Sequence, residues 1–204
     1  MHPTELNPRI GPFPAGLNDC YAGLEWLHER RDELGVSTVC VAGESGGGNL
    51  SVATAMLAMR NGALHLCQSG VFTLCPQLAA FGGDRMGAVG YGVEAFDEGN
   101  PLAWPDFATP EDLRGFPRTV VSVNEDDAIG TDAGVALYRK LLAAGVDAQC
   151  RVVMGTPHAA DIMGWLFVPE ICLSTARAMA DFAGGGAVLE ARMVTELPAP
   201  APRA

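Results

Sequence analysis

The chain has 204 residues, of which 49% are hydrophobic and 18% are charged, and its formal net charge is −11 at pH 7. This length predicts one domain with a substantial core. The negative charge argues against a nucleic-acid partner, because binding to nucleic acid depends on Lys and Arg neutralising phosphates. Gly, Pro or a charge interrupts the apolar stretches every few residues, so a soluble protein without a membrane span is expected.

Helices and strands are predicted to alternate along most of the chain. From the spacing of apolar residues, helices are expected at about 17–34, 46–61, 131–144 and 169–182. Short apolar strands are expected at 37–42, 70–76, 118–124 and 149–154. Segment 77–117 is rich in Gly and Pro without periodicity, which is typical of a lid-like insertion, and 184–204 is expected to be a flexible tail.

The fold class follows from this alternation. Each strand is apolar nearly throughout, which is typical of strands that are covered on both faces. We therefore predict an α/β protein with a mainly parallel sheet and helices on both faces.

The beginning of the chain and its cysteines bear on location and redox state. The first residues lack the basic and apolar regions of a signal peptide, so a cytoplasmic location is expected. The six cysteines are scattered without a C-x-x-C pair, which favours reduced thiols over a disulfide framework or a metal site. No glycine pattern resembles a dinucleotide-binding fingerprint, and no cofactor is expected.

The stretch CVAGESGGGNLSVA, residues 40–53, surrounds one serine with glycines. It contains a G-x-S-x-G pattern, Gly43-Glu44-Ser45-Gly46-Gly47, between a predicted strand and a predicted helix. In such a nucleophile elbow the serine sits on a sharp turn, and a Cβ two residues to either side would collide. The N–H of Gly46 would then face an oxyanion formed by attack of Ser45. The alternatives are a tight βα turn or a phosphate-binding loop, although the G-K-[ST] ending of the latter is missing.

A serine nucleophile needs a base and a residue that orients the base. His65 lies near the far end of the helix that begins after Ser45, roughly 30 Å away at about 1.5 Å per residue. His158 follows the end of a predicted strand, where the active sites of α/β proteins gather. We predict His158 as the base.

The acid is expected after the preceding strand, in the sequence VNEDDAIGTD. This stretch offers four carboxylates, and the last of them could equally cap the following helix: Glu125, Asp126, Asp127 and Asp132. From position alone the choice between them stays open.

Several ordered motifs resemble those of one family. The stretches PFPAGLNDC, AGESGGGNL, NPLAW, EDLRG, VVSVNE, YRKLLAAGV and HAAD are similar to the hormone-sensitive-lipase family of α/β-hydrolase esterases, in its brefeldin A esterase-like branch. The resemblance spans residues 13–182 and implies one catalytic domain over 1–183. It implies Ser45 as nucleophile, Asp127 as acid and His158 as base, with Asp126 as the second choice, because the family's E-x-D-P-L pattern is altered here.

The H-G-G-G oxyanion loop of the family does not occur in this sequence. The resemblance therefore implies that these residues correspond to the C-terminal part of the fold. Two functions are expected: a carboxylesterase that acts on short-chain, small-molecule esters through an acyl-enzyme, or an impaired or inactive hydrolase remnant that serves as a binding or assembly module. Because the strand at 37–42 would have an uncharged open edge, a homo-oligomer is also expected.

Overall fold

The computed structural model describes residues 11–79, 85–86 and 88–185. These contain one four-stranded sheet in the order β1-β2-β3-β4, in which every neighbouring pair is parallel. The strands are β1 (Cys40–Glu44), β2 (Gly70–Leu74), β3 (Thr119–Asn124) and β4 (Ala148–Val153). The parallel sheet expected from the apolar strands is confirmed.

Seven α-helices and two 3₁₀ turns accompany the sheet in the described residues. The helices are α1 (Ala15–Glu29), α2 (Arg31–Leu34), α3 (Gly46–Arg60), α4 (Val93–Asp97), α5 (Thr131–Ala143), α6 (Ala160–Met163) and α7 (Pro169–Ala183). The 3₁₀ turns are Leu64–Cys67 and Pro105–Phe107. In this described part of the chain, none of the helices has the length and apolar character that crossing a bilayer requires.

The predicted helices and strands agree with these bounds except at four places. The first helix is divided at Arg30, and the short helices α4 and α6 were not predicted. Strand β1 begins at Cys40 and continues through Gly43 and Glu44, because these residues pair with Thr73 and Leu74 of β2. Gly and Glu are poor strand formers, so the sequence pattern ended this strand too early.

Both faces of the sheet are packed against helices. On one face, Val71, Val121 and Val123 join a core to which α1, α3 and α5 contribute buried side chains. On the other face, Phe72, Leu74 and Val120 pack with Phe182 of α7. Side chains of successive strand residues point to opposite faces, so a strand with two packed faces must be apolar throughout. This is the reason why β2 and β3 are largely apolar and why their few polar residues, such as Thr73 and Ser122, are also buried.

The segment that was predicted to be a lid-like insertion packs partly on itself. Trp104 is buried with Ala88, Ala95 and Ala103, and Phe13 packs against this group. Its beginning and end contribute instead to the main core, through Leu78, Ala108, Leu113 and Phe116. Residues 80–84 and 87 of this segment lie outside the described residues, as do residues 186–204 of the expected tail.

Strand β1 lies at one edge of the sheet. It pairs with β2 on one side, and none of the described residues pairs with its other side. That a second copy of the chain covers this edge stays a prediction.

Two neighbouring leucines of α5 test the placement of the core. Leu141 is fully buried, whereas Leu142 is 48% exposed to solvent. Leu141→Ala should reduce the free energy of unfolding by about 2 to 5 kcal/mol, because it leaves a cavity. Leu142→Ala changes the same residue type in the same helix and should cost less than about 1 kcal/mol. Urea unfolding of both variants measures the difference, and equal losses would contradict this core.

Candidate active site

Ser45 occupies a sharp turn between β1 and α3. Its φ of 54° lies in the left-handed region, which residues other than glycine rarely adopt. A Cβ on Gly43 would lie 2.0 Å from the carbonyl oxygen of Gly47, so only glycine fits at residue 43. The backbone N–H of Ser45 donates to the carbonyl of Leu74 at 3.0 Å, which fixes the turn to the end of β2.

The glycines after Ser45 have different roles. Gly46 and Gly47 are exposed, and a Cβ at either would meet no atom within 4 Å, so the predicted collision at Gly47 is wrong. A Cβ on Gly48, in contrast, would lie 2.9 Å from the Thr73 hydroxyl oxygen. The backbones of β1 and α3 are therefore closest between Gly43 and Gly47, and Gly48 lies against β2. Gly46 is the first residue of α3, where helix N–H groups have no partner within the helix.

His158 lies between Ser45 and Asp127. Its Nε2 is 2.9 Å from Oγ of Ser45, and its Nδ1 is 2.7 Å from Oδ2 of Asp127. An ionised carboxylate only accepts hydrogen bonds, so Nδ1–H donates to Asp127 and Nε2 is left to accept the proton of Ser45. The arrangement matches that of a nucleophile, a general base and the acid that orients the base.

Asp127 is the member of the acidic cluster that reaches His158. It is buried, whereas Glu125, Asp126 and Asp132 are exposed. Burial acts to raise the pKa of Asp127, but hydrogen bonds from His158 and from the backbone N–H groups of Ile129 and Gly130 outweigh it, and the net pKa is lowered. The carboxylate therefore stays ionised next to the imidazole.

The loop that carries His158 is tied to the turn after β3. The side-chain amide of Asn124 donates to the Pro157 carbonyl at 2.6 Å, and the Gly155 N–H donates to Glu125 at 2.7 Å. The N–H of Asp126 donates to the Thr156 carbonyl at 3.0 Å. These bonds position His158 relative to Asp127.

Backbone strain is concentrated around these residues. Among the described residues, three that are not glycine have a positive φ: Ser45, Cys75 at 40° and Ala159 at 59°. Ser45 and Cys75 directly follow β1 and β2, and Ala159 directly follows His158. Residues held in such conformations occur mostly at functional sites, where the surrounding structure enforces them.

No catalytic role was predicted from the sequence for two acidic residues in this region, Glu44 and Asp161. Oε1 of Glu44 lies 3.3 Å from Nε2 of His158, and burial raises the pKa of Glu44. Asp161 is fully buried, and its Oδ2 contacts Ser122, Thr175 and Arg151. Two signals were available: Glu44 lies inside the elbow motif, and Asp161 is the last residue of the HAAD stretch. Neither signal shows in which direction a carboxylate points.

Cys75, Asp127 and His158 also bring three potential metal ligands within 4.8 Å of one another. However, burial raises the pKa of Cys75 to about 12, so its thiol stays protonated at neutral pH. A thiol binds a metal as the thiolate, and the other two residues are already hydrogen-bonded to each other. The chemistry of this group therefore favours proton transfer over metal binding.

A pocket of about 300 Å³ lies beside the serine. It is lined by Gly46, Asn49, Leu50, Gln77, Tyr91 and Trp104. Gly46 directly follows Ser45, so the pocket begins at the nucleophile elbow. Tyr91 and Trp104 come from the inserted segment, whose irregular sequence gave no signal for this position. The pocket offers an apolar space for part of a small molecule.

Comparison with known proteins points to one family. Residues 10–162 match the family model described as the alpha/beta hydrolase fold. The chain is 32% identical over 171 residues to an arylesterase of Saccharolobus solfataricus, which covers 74% of this chain and 55% of that protein.

Two solved structures share the fold. Esterase Est22 is 41% identical, with a TM-score of 0.81, over 88% of this chain and 58% of its own. Brefeldin A esterase, described as a bacterial homologue of human hormone-sensitive lipase, is 38% identical with a TM-score of 0.76, over 86% of this chain and 55% of its own. The chain thus spans little more than half the length of these proteins.

Gly43 and Gly47 form a matched pair for testing the elbow. Gly43→Ala should lower the free energy of unfolding by about 3 kcal/mol or more, because the new Cβ forces the strand and the helix apart. Gly47→Ala meets no atom within 4 Å, and alanine favours a helix, so its stability should stay within about 1 kcal/mol of the unchanged protein. Chemical denaturation of both variants provides the comparison, and a tolerated Gly43→Ala would refute the close approach.

Asp127 and Asp126 provide a test based on pH. A lowered carboxyl pKa in the folded state contributes stability above the unfolded pKa of about 3.9, and this contribution is lost as pH falls through the folded value. Asp127→Asn should therefore be less stable than the unchanged protein at pH 7 by about 1 to 3 kcal/mol.

The stability difference caused by Asp127→Asn should shrink as pH falls below about 4, because the unfolded state of the unchanged protein binds a proton at Asp127 before the folded state does, and it should be smallest below the folded pKa. Asp126→Asn removes an exposed neighbour and should have little effect at any pH. Urea titrations at pH 7 and pH 3 measure both variants. A larger effect at Asp126 would show that the other carboxylate faces the histidine.

Proposed function

This chain belongs to the hormone-sensitive-lipase group of the α/β-hydrolase family, and from this membership we propose that it hydrolyses carboxylic esters. The observation that carries the proposal is the position of His158 between Ser45 and Asp127, at 2.9 and 2.7 Å. Esterase names recur among the proteins that the chain resembles, and they support the same reaction class.

In the proposed mechanism Ser45 is the nucleophile. Its Oγ attacks the ester carbonyl carbon while its proton passes to Nε2 of His158. The backbone N–H of Gly46, at the positive end of the α3 dipole, donates to the oxyanion that forms. His158 then protonates the departing alkoxide, and the alcohol leaves behind an acyl-enzyme.

A water molecule completes the proposed cycle. His158 takes a proton from this water as the water attacks the acyl carbonyl, and then returns the proton to Oγ of Ser45 as the acid departs. Asp127 keeps Nδ1 protonated throughout and stabilises the imidazolium that forms twice in each cycle. Its lowered pKa favours the ionised form that this role requires.

We also propose that the substrates are short-chain esters. The pocket beside Gly46 has a volume of about 300 Å³ and contacts Leu50 and Trp104, which suits a small apolar group. Long acyl chains would extend beyond it. Each methylene that is buried in the pocket contributes about 0.8 kcal/mol to binding, whereas methylenes outside the pocket contribute little.

The second candidate is a binding or assembly module with impaired or no turnover. The observation that favours it is the absence of the H-G-G-G motif from the 204 residues. Loss of one oxyanion donor lowers turnover by about 10² to 10³-fold. A protein with the three residues in place but too few donors would react with a strong electrophile yet turn over esters poorly.

Hydrolysis of p-nitrophenyl esters by the purified protein tests the proposal. We expect turnover of the acetate and butyrate, and a lower kcat/KM for the laurate because of the pocket size. Ser45→Ala and His158→Ala should each reduce kcat by about 10³-fold or more, because members of such a triad act as a unit. His65→Ala, which changes a histidine outside the site, should retain activity.

Labelling with a fluorophosphonate separates the two candidate functions. An esterase should be labelled at Ser45 and hydrolyse the acetate, whereas an impaired module should be labelled without comparable turnover. Labelling that persists in Ser45→Ala, or damage by His65→Ala alone, would show that the nucleophile or the base is assigned to the wrong residue.

A further inference from the structure

The imidazole of His158 faces a second carboxylate in addition to Asp127. Oε1 of Glu44 lies 3.3 Å from Nε2, the same nitrogen that lies 2.9 Å from Oγ of Ser45. Asp127 faces Nδ1 on the opposite side of the ring, at 2.7 Å. The base therefore lies between two acidic side chains, one at each nitrogen.

The Glu44 carboxylate is held in place rather than free in solvent. Its residue ends β1 and is paired with Leu74, so the backbone directly before Ser45 is fixed. Only 24% of the side chain is exposed, and Oε1 is buried without a hydrogen-bond partner in the described residues. A buried carboxylate oxygen without a donor is costly, and a protonated Nε2 would supply the donor that it lacks.

We propose that Glu44 is a positioning residue that stabilises the protonated form of His158 from the Nε2 side. The proposal rests on the function proposed above, because it assigns Glu44 a part in the proton transfers of ester hydrolysis. The same interaction exists in the resting protein, because an adjacent negative charge favours a charged imidazole whether or not substrate is present.

The role of Glu44 begins when the ester is attacked. As the bond from Oγ of Ser45 to the carbonyl carbon forms, the hydroxyl proton moves to Nε2 and the carbonyl electron pair moves onto oxygen. His158 is then a cation flanked by the carboxylates of Asp127 and Glu44. When Nε2–H gives its proton to the leaving alkoxide, the imidazole is neutral again and the charge balance is restored. Glu44 itself gains and loses no proton in this sequence.

Other ionisable groups in this region are Asp161, Arg151, Cys75, Glu125 and Asp126. Asp161, in α6, is fully buried, and Arg151 of β4 lies 4.0 Å from its carboxylate. Cys75 lies close to Asp127 and His158, but its raised pKa keeps it neutral. Glu125 and Asp126, in the turn after β3, are exposed and therefore well screened. Glu44 is thus the carboxylate nearest to Nε2 among the described residues.

The pH range of the effect follows from the pKa of Glu44. Burial raises this pKa, the positive charge of His158 acts to lower it, and the charges of Asp161 and Asp127 raise it further. Glu44 stabilises the imidazolium only while it is ionised. Its influence should therefore fade as acid protonates it, and because its pKa is raised, this loss should occur at a higher pH than for an exposed glutamate.

Titration of the histidine signals by NMR tests the proposal without any substrate. The ¹³Cε1 signal of His158 is identified by its loss in His158→Gln. In Glu44→Gln, which removes the charge and keeps the shape, the pKa of His158 should fall by about 1 unit relative to the unchanged protein. Glu111→Gln removes a surface carboxylate paired with Arg114 and should leave the His158 titration unchanged. A His158 pKa that is the same in Glu44→Gln as in the unchanged protein would overturn the proposal.

A second measurement needs no substitution at Glu44. In the unchanged protein, the Glu44 ¹³Cδ signal should respond to two pH steps, its own and that of His158, because the two charges interact. A signal without a response at the pKa of His158 would also overturn the proposal.

Kinetics separate this proposal from the proposed function. If esters are hydrolysed, the acid limb of kcat/KM against pH should move to lower pH in Glu44→Gln by the same amount as the His158 pKa. If no ester is hydrolysed, the proposed function fails, while the NMR titrations still decide whether Glu44 and His158 interact.

Discussion

At the beginning of α3 the backbone of Gly47 comes so close to Gly43 that no side chain fits between strand and helix. This approach forces the chain through a sharp turn, and Ser45 at its centre is held with a φ of 54°. The strain is maintained because α3 is anchored elsewhere: Val52 and Met56 are fully buried in the core. A helix with a weaker core face could not hold the serine in this conformation.

The parallel arrangement of the strands determines which chemical groups meet. Since all four strands run in the same direction, the segments that follow them gather at the carboxyl end of the sheet. Ser45 follows β1, Asp127 follows β3, and His158 follows β4, so residues far apart in sequence lie within hydrogen-bond distance. The same end of the sheet also brings Glu44 to Nε2 of His158, so that the imidazole has a carboxylate at each of its nitrogens.

Sequence patterns predicted the parts of the fold that depend on neighbouring residues in the chain. The apolar spacing placed α3, α5 and α7, and the G-x-S-x-G pattern placed the elbow at Ser45, because both depend on local geometry. Features that depend on contacts through space were not predictable in this way. The open space beside Gly47, the direction of the Glu44 carboxylate and the place of Tyr91 beside the elbow all depend on elements that meet only in the folded chain.

The network between the turn after β3 and the His158 loop divides the site into two mechanical units. Hydrogen bonds from Asn124 and Asp126 connect the turn that carries Asp127 to the loop that carries His158, so these two residues belong to one unit. Ser45 belongs to the other, because its backbone is bonded to the end of β2. Pairing of β2 with β3 along Val71–Leu74 holds these two units in register. The distance from Oγ to Nε2 is therefore set by the pairing of two neighbouring strands, whereas the contact of Nδ1 with the Asp127 carboxylate is set within one pair of loops.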